Sequence, residues 1–342
     1  MIYTQTCSPA KAEEEEGFSP ALRALWRRIP NKGFFFLLLA AWLALFQFFG
    51  NATLGYIPSH SLYWWMFSVY NQKPTVGEDQ NWTWADDSVG NIIPFLVLGL
   101  LWWKRQELRG LSLKNWWPGL LLVATALFLH LIGYALQQPR VSIVGLFFGI
   151  FGLAGLAWGG QWLRTTFFPF FLFAFMVPLS TILAPITFRL QMLVTKIVVF
   201  LCHDILGFSV VREGTQLVNN ISNYHYEVSA ACGGIRSLVI IGLIGVVYAF
   251  MVFPAMWQRL LLIACAIPFA VMGNTLRLFA IVATAEAQGQ AAGMAVHDSA
   301  IWSILPYLPA IIGFRLLGLW MEDHMISRRD KKDDFCRQPA AF

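Results

Sequence analysis

Charged residues nearly vanish from the middle of this chain. Of its 43 Asp, Glu, Lys and Arg residues, 9 lie before Gly33 and 10 after Trp320, which leaves 24 for the 288 residues between. A soluble globular domain carries about twice the 13% charged fraction found here. With 57% hydrophobic residues besides, the interior of the chain cannot solvate a surface, and a soluble enzyme is excluded. The length fits one polytopic bundle, residues 34–320, between a disordered cytoplasmic tail (1–33) and a charged cytoplasmic tail (321–342). The formal charge of +5 implies no nucleic acid, because the basic residues flank apolar segments as orientation signals do.

A spanning helix takes roughly 17–25 mostly apolar residues. The sequence predicts spans at 34–50, 90–103, 117–136, 141–159, 167–185, 235–253, 260–284 and 300–320. The first is expected to be an uncleaved signal-anchor, since residues 1–32 are polar, include Glu13–Glu16 and lack a small-residue cleavage site. Arg23, Arg27, Arg28 and Lys32 precede it; Lys104, Arg105, Arg109 and Lys114 follow the second span. Arg164, Arg259 and the cluster Arg328, Arg329, Lys331 and Lys332 fall on the same side if the spans number eight. The positive-inside rule makes that side cytoplasmic, with both termini inside.

Residues 188–207 could be taken for a ninth span. Arg189, Lys196 and His203 recur at seven-residue spacing, however, and so share one helical face. A helix with a charged stripe and an apolar remainder lies in the membrane interface, here on the outer surface. Beyond it, Tyr224, Tyr226 and Val228 alternate with His225 and Glu227, the period of a half-buried strand. Gly214 and Asn219-Asn220 are turn signals. The fold class expected is therefore an all-α polytopic membrane protein of about eight transmembrane helices, with an outer interfacial helix and a small outer β-hairpin.

An ionisable residue inside a span is a functional hypothesis by default. Arg277 is the clearest case, with Asn274 one turn below it on the same face. Snorkelling or ion pairing is the plain structural alternative. Five cysteines (Cys7, Cys202, Cys232, Cys265, Cys336) show no CxxC or regular spacing, so neither a disulfide framework nor a zinc site is expected. Cys232 stands apart from the other four. In SAACGGIRSL it is flanked by Ala230, Ala231, Gly233 and Gly234, near a helix N-terminus, with Arg236 one turn on. Positive potential of that kind favours the thiolate, the nucleophilic form. His297, in AVHDSAIW, ends the outer loop after the seventh span; histidine is the usual general acid-base. Topology puts Cys232, Arg277 and His297 at the outer ends of three consecutive spans.

CGGIRSL, NTLR and the downstream histidine resemble the Cys, Arg and His signatures of the exosortase/archaeosortase family. The segments DDSVGNIIPFLVLGLLWWKR, FPFFLFAFMVPL, LQMLV and VVREGTQL are similar to the family as well, so that the likeness covers roughly residues 86–320. Gly233 stands where the family usually has serine. The resemblance implies a membrane-embedded cysteine peptidase or transpeptidase in the cytoplasmic membrane of a prokaryote, its site facing outward. Its substrates would be exported proteins with a C-terminal sorting signal of short motif, transmembrane helix and basic tail, passed to an acceptor molecule. Carried over, Cys232 is the nucleophile, Arg277 the essential arginine and His297 the third catalytic residue, with Arg236 and Asn274 in support; no metal or cofactor is implied. The alternative reading is a transporter or channel with Arg277 and Asn274 in an anion site. It leaves the Cys232 setting unexplained, and the sequence shows none of the internal repeats common in transporters.

Orientation has a direct check. An alkaline phosphatase fused after Glu286 is expected to be active and one fused after Gln258 inactive; the reverse pattern would mean that residues 188–207 cross the membrane.

Overall fold

Within lipid, backbone N–H and C=O groups must find partners inside their own segment, so long apolar runs become helices. The computed structural model describes residues 30–53, 57, 59–71, 87–214, 216–219, 224–227, 235–299 and 301–337. Its helices are α1 (Lys32–Phe48), α2 (Leu62–Tyr70), α3 (Ile93–Trp103), α4 (Arg105–Arg109), α5 (Gly119–Ala135), α6 (Pro139–Trp158), α7 (Gly160–Phe171), α8 (Ser180–Val199), α9 (Ile235–Val252), α10 (Met256–Gln288), α11 (Gln290–Asp298) and α12 (Leu308–Arg337). By length and composition α6, α10 and the segment Trp302–Glu322 can each cross a membrane. The apolar helices α1, α3, α5 and Ser237–Val252 are shorter. Seven of the eight expected spans thus fall on apolar helices, three of them of full crossing length.

The fifth expected span, 167–185, is not one helix. Helix α7 passes into a 3-10 turn at Leu172–Met176, the chain leaves helical geometry at 177–179, and α8 restarts at Ser180. Two causes coincide. Pro178 disfavours helical geometry at Val177, and Asp87, far off in sequence, supplies the cap for the restart. One Asp87 carboxylate oxygen accepts from the backbone N–H of Leu179 (3.1 Å) and Ser180 (3.2 Å), and the other accepts from the Ser180 hydroxyl (2.6 Å). The helix expected at 188–207 accordingly starts at Ser180 and ends in a π-helical turn at Phe200–Ile205. Its stripe is as expected: Arg189, Lys196 and His203 are exposed, while Val194, Val198 and Cys202 are buried.

The chain gathers into two compact units, Met1–Tyr63 with Phe95–Phe171, and Trp64–Pro94 with Leu172–Phe342. In the first, α6 is central. Its glycines let neighbours approach closely: a Cβ on Gly149 would sit 2.0 Å from the Trp42 ring, whose indole N–H reaches the Leu146 carbonyl at 3.0 Å.

In the second unit a three-stranded antiparallel sheet, β1 (Val211–Glu213), β2 (Gln216–Asn219) and β3 (Tyr224–Glu227), takes the place of the expected hairpin. Its first turn lies at Gly214, where φ is +65°, and Asn219 pairs with Tyr224 in the second ladder. Val210, Leu217 and Tyr224 close a core with Val194, Val198 and Cys202 below them and Leu278, Ile281, Val282, Ala285 and Val296 beside them. Further along α10, Gly273 lies against the 3-10 turn at Trp302–Tyr307; a Cβ there would be 1.9 Å from the Pro306 carbonyl oxygen.

That contact makes a stability test. Gly273→Ala is expected to cost about 1–3 kcal/mol through overpacking. Gly242→Ala, with nothing within 4 Å of the added methyl, is expected to be neutral or mildly stabilising, since alanine is the better helix former. Thermal unfolding in detergent compares the two.

Candidate active site

Helix α9 begins at Ile235, three residues after Cys232. Cys232 itself lies outside the described residues, as does the side chain of Arg236. The first described side chain of the signature is Ser237, 5% exposed. Its hydroxyl donates to Asn274 Oδ1 (3.0 Å) and accepts from Asn274 Nδ2 (2.8 Å). Asn274 is 6% exposed, so the pair joins α9 to α10 in an apolar interior where a polar group without a partner would be costly. Ser237 is the residue that sequence reasoning passed over, although CGGIRSL contains it.

Arg277 stands one turn further along α10 and is partly buried. Its Nη2 donates to the backbone carbonyl of His297 at 3.1 Å. Its Nε–H is buried and has no hydrogen-bond partner among the described residues. His297 belongs to the last turn of α11, where carbonyls lack intrahelical donors and a cation is favoured by the helix dipole. The chain reverses between α10 and α11 at Gly289, whose φ of +86° suits glycine, and Val296 packs beside Leu278, Ile281 and Val282. The structure therefore brings together two of the three expected catalytic residues, through the His297 backbone, and joins Asn274 through Ser237 to α9, the helix that follows Cys232 in the chain.

A second polar seam runs under the sheet. Asn219, 1% exposed, donates its amide to Glu286 Oε2 at 2.9 Å. Burial pushes the neighbouring Tyr224 phenol above its usual range, and the Glu286 carboxylate pushes it the same way. Burial also pushes the Cys202 thiol up to about 11, with Glu286 as the second cause. Cys202 is fully buried and stays protonated at neutral pH, the opposite of what a thiolate nucleophile needs. Among the described residues, no three His, Cys, Asp or Glu side chains gather as a metal-binding set.

An apolar groove of about 480 Å³ lies between α8, its π-helical turn and α10, lined by Ile197, Leu201, Val271, Thr275 and Phe279 among others. At about 100° per residue, Thr275 and Phe279 lie about 160° round α10 from Arg277, while Asn274 stands between the two faces. The groove is thus turned away from Arg277.

The family model for transmembrane exosortases (Exosortase_EpsH) matches residues 82–313, about two thirds of the chain, and takes in Asp87, Cys232, Ser237, Asn274, Arg277 and His297. The chain belongs to the transmembrane exosortase family. Membership implies a membrane transpeptidase acting in protein sorting. No curated protein and no solved structure matches the chain.

Proposed function

We propose that this protein is a thiol peptidase/transpeptidase that cleaves C-terminal sorting signals of exported proteins at the outer boundary of a prokaryotic cytoplasmic membrane. The observation that carries the reading is the Arg277 guanidinium on the last turn of α11 at His297, within a family whose signature cysteine is Cys232. The substrate helix enters from the bilayer and presents its cleavage motif near that boundary. His297 takes the Cys232 thiol proton, and the thiolate attacks the scissile carbonyl carbon. As the tetrahedral intermediate collapses, the C–N bond breaks, the departing amine takes the proton from His297, and a thioester remains on Cys232. Water or an acceptor nucleophile then attacks the thioester, giving its proton to His297, and the thiol is restored.

Arg277 has two tasks in this scheme. One Nη holds the α11 terminus and with it the His297 backbone; the rest of the fork supports the oxyanion or the substrate. Loss of an oxyanion donor costs roughly 3–4 kcal/mol elsewhere.

The test is processing of a co-expressed protein that ends in a transmembrane helix and basic tail. Cys232→Ala is expected to abolish it, and Cys202→Ala to leave at least about half, since a buried thiol that stays protonated is inert. Processing by Cys232→Ala at the wild-type rate would end the proposal.

A further inference from the structure

We propose that the first unit binds the phosphate headgroup of an anionic phospholipid in a cleft between Trp116 and the first turn of α7, with Arg164 as the principal ligand. The inference is independent of Cys232 and of any peptidase activity.

The cleft has a volume of about 470 Å³ and is lined by Trp116, Gly160, Gln161, Leu163 and Arg164. Its walls are held firmly. The backbone N–H of Trp116 donates to the Leu156 carbonyl at 3.3 Å, the indole lies 3.6 Å from where a Gly160 Cβ would be, and Ser112 donates to Gln161 Oε1 at 3.1 Å. Arg164 is exposed, and no carboxylate among the described residues pairs with it; the ion pair between Lys104 and Glu107 lies elsewhere.

Between Phe95 and Phe171 the charge is one-sided. Asn31 meets Asn115 at 2.6 Å, the Lys114 carbonyl lies against Gly159, and α4 packs on α7. These contacts bring Lys32, Lys104, Arg105, Arg109, Lys114 and Arg164 to one end of the unit. From Phe95 to Phe171 the sequence contains a single carboxylate, Glu107, and it is already paired with Lys104 at 3.2 Å. Trp103 and Trp117, 52% and 75% exposed, mark the same end as one that lies at headgroup level. A largely apolar cleft with an arginine on its wall, at the basic end of the unit, suits a lipid with an anionic headgroup.

The face of α7 separates a lipid from a free anion. Gly160, Arg164, Phe167 and Phe171 share one helical stripe. Phe167 and Phe171 are 55% and 45% exposed and stack with ring centroids 6.3 Å apart. The stripe passes from cleft to cation to an apolar track, the order of headgroup and acyl chain. A soluble phosphate would use only its first part.

The test uses the purified full-length protein in nanodiscs of phosphatidylcholine, with phosphatidylglycerol added in steps and retained lipid counted by native mass spectrometry. Phosphatidylglycerol is expected to be retained in preference to phosphatidylcholine. Arg164→Gln should weaken that retention about fivefold, as expected for one basic contact at a membrane surface, and Arg140→Gln, away from the cleft, should not. Phe171→Ser should also weaken it while leaving the cation in place, so either variant alone can decide. The proposal is overturned by equal retention of the two lipids, by unchanged retention in Arg164→Gln or Phe171→Ser, or by displacement of the lipid with millimolar inorganic phosphate.

Discussion

The hydrogen-bonded pair of Ser237 and Asn274 sets the register on which the rest of the signature-motif region is built. Each side chain lies almost wholly out of solvent between two apolar helices, where their two hydrogen bonds satisfy polar groups that water cannot reach. A polar contact of this kind contributes only about 0.6–2 kcal/mol inside a membrane protein. Its value is in position. The two helices could slide along one another at little apolar cost, but a one-residue slip would break both hydrogen bonds between the buried hydroxyl and the buried amide. The pair thereby fixes the start of α9, directly after the Cys232 segment, at a height one turn below Arg277. From that height the arginine reaches the last turn of α11.

The sheet carries the same logic to the other side of the Cys232 segment. Strand β3 ends at Glu227, and its first residue, Tyr224, is buried over α8 and α10. Asn219 and Glu286 tie the partner strand to α10 about two and a half turns beyond Arg277. Both flanks of the segment, the strand before it and the helix after it, are therefore referred to one long helix. An apolar interior, a polar clasp on each flank and a cation at a helix terminus are the physical ingredients of the proposed site.

Much of this was legible in the sequence, for reasons particular to each element. Charge depletion marks the lipid-embedded part because no apolar helix can hide many unpaired charges, and seven apolar helices lie where hydropathy puts them. The seven-residue spacing of Arg189, Lys196 and His203 reports a real exposed face because helical geometry is local. The break at 177–179 was only half legible: Pro178 stands in the sequence as a helix breaker, but the restart does not. The run from Phe167 to Pro185 contains no charge, and the cap that lets α8 restart comes from Asp87, across 92 and 93 residues of chain. Ser237 was hidden for a similar reason: its importance arises from a partner 37 residues away. Arg277 and His297 could be named from their motif, but the contact through a main-chain carbonyl rather than the imidazole is a matter of tertiary geometry.

The account turns on Cys232 forming a covalent bond to the substrate. Intact-protein mass spectrometry on the Cys232-containing protein, incubated with a peptide carrying the cleavage motif and quenched in acid, measures that bond directly. The account predicts a mass increase equal to the acyl part of the peptide, mapped to Cys232 and removed by hydroxylamine, as a thioester is. An adduct on Cys202 or Cys265, or turnover of the peptide with no acyl adduct at any cysteine under rapid quench, would contradict it.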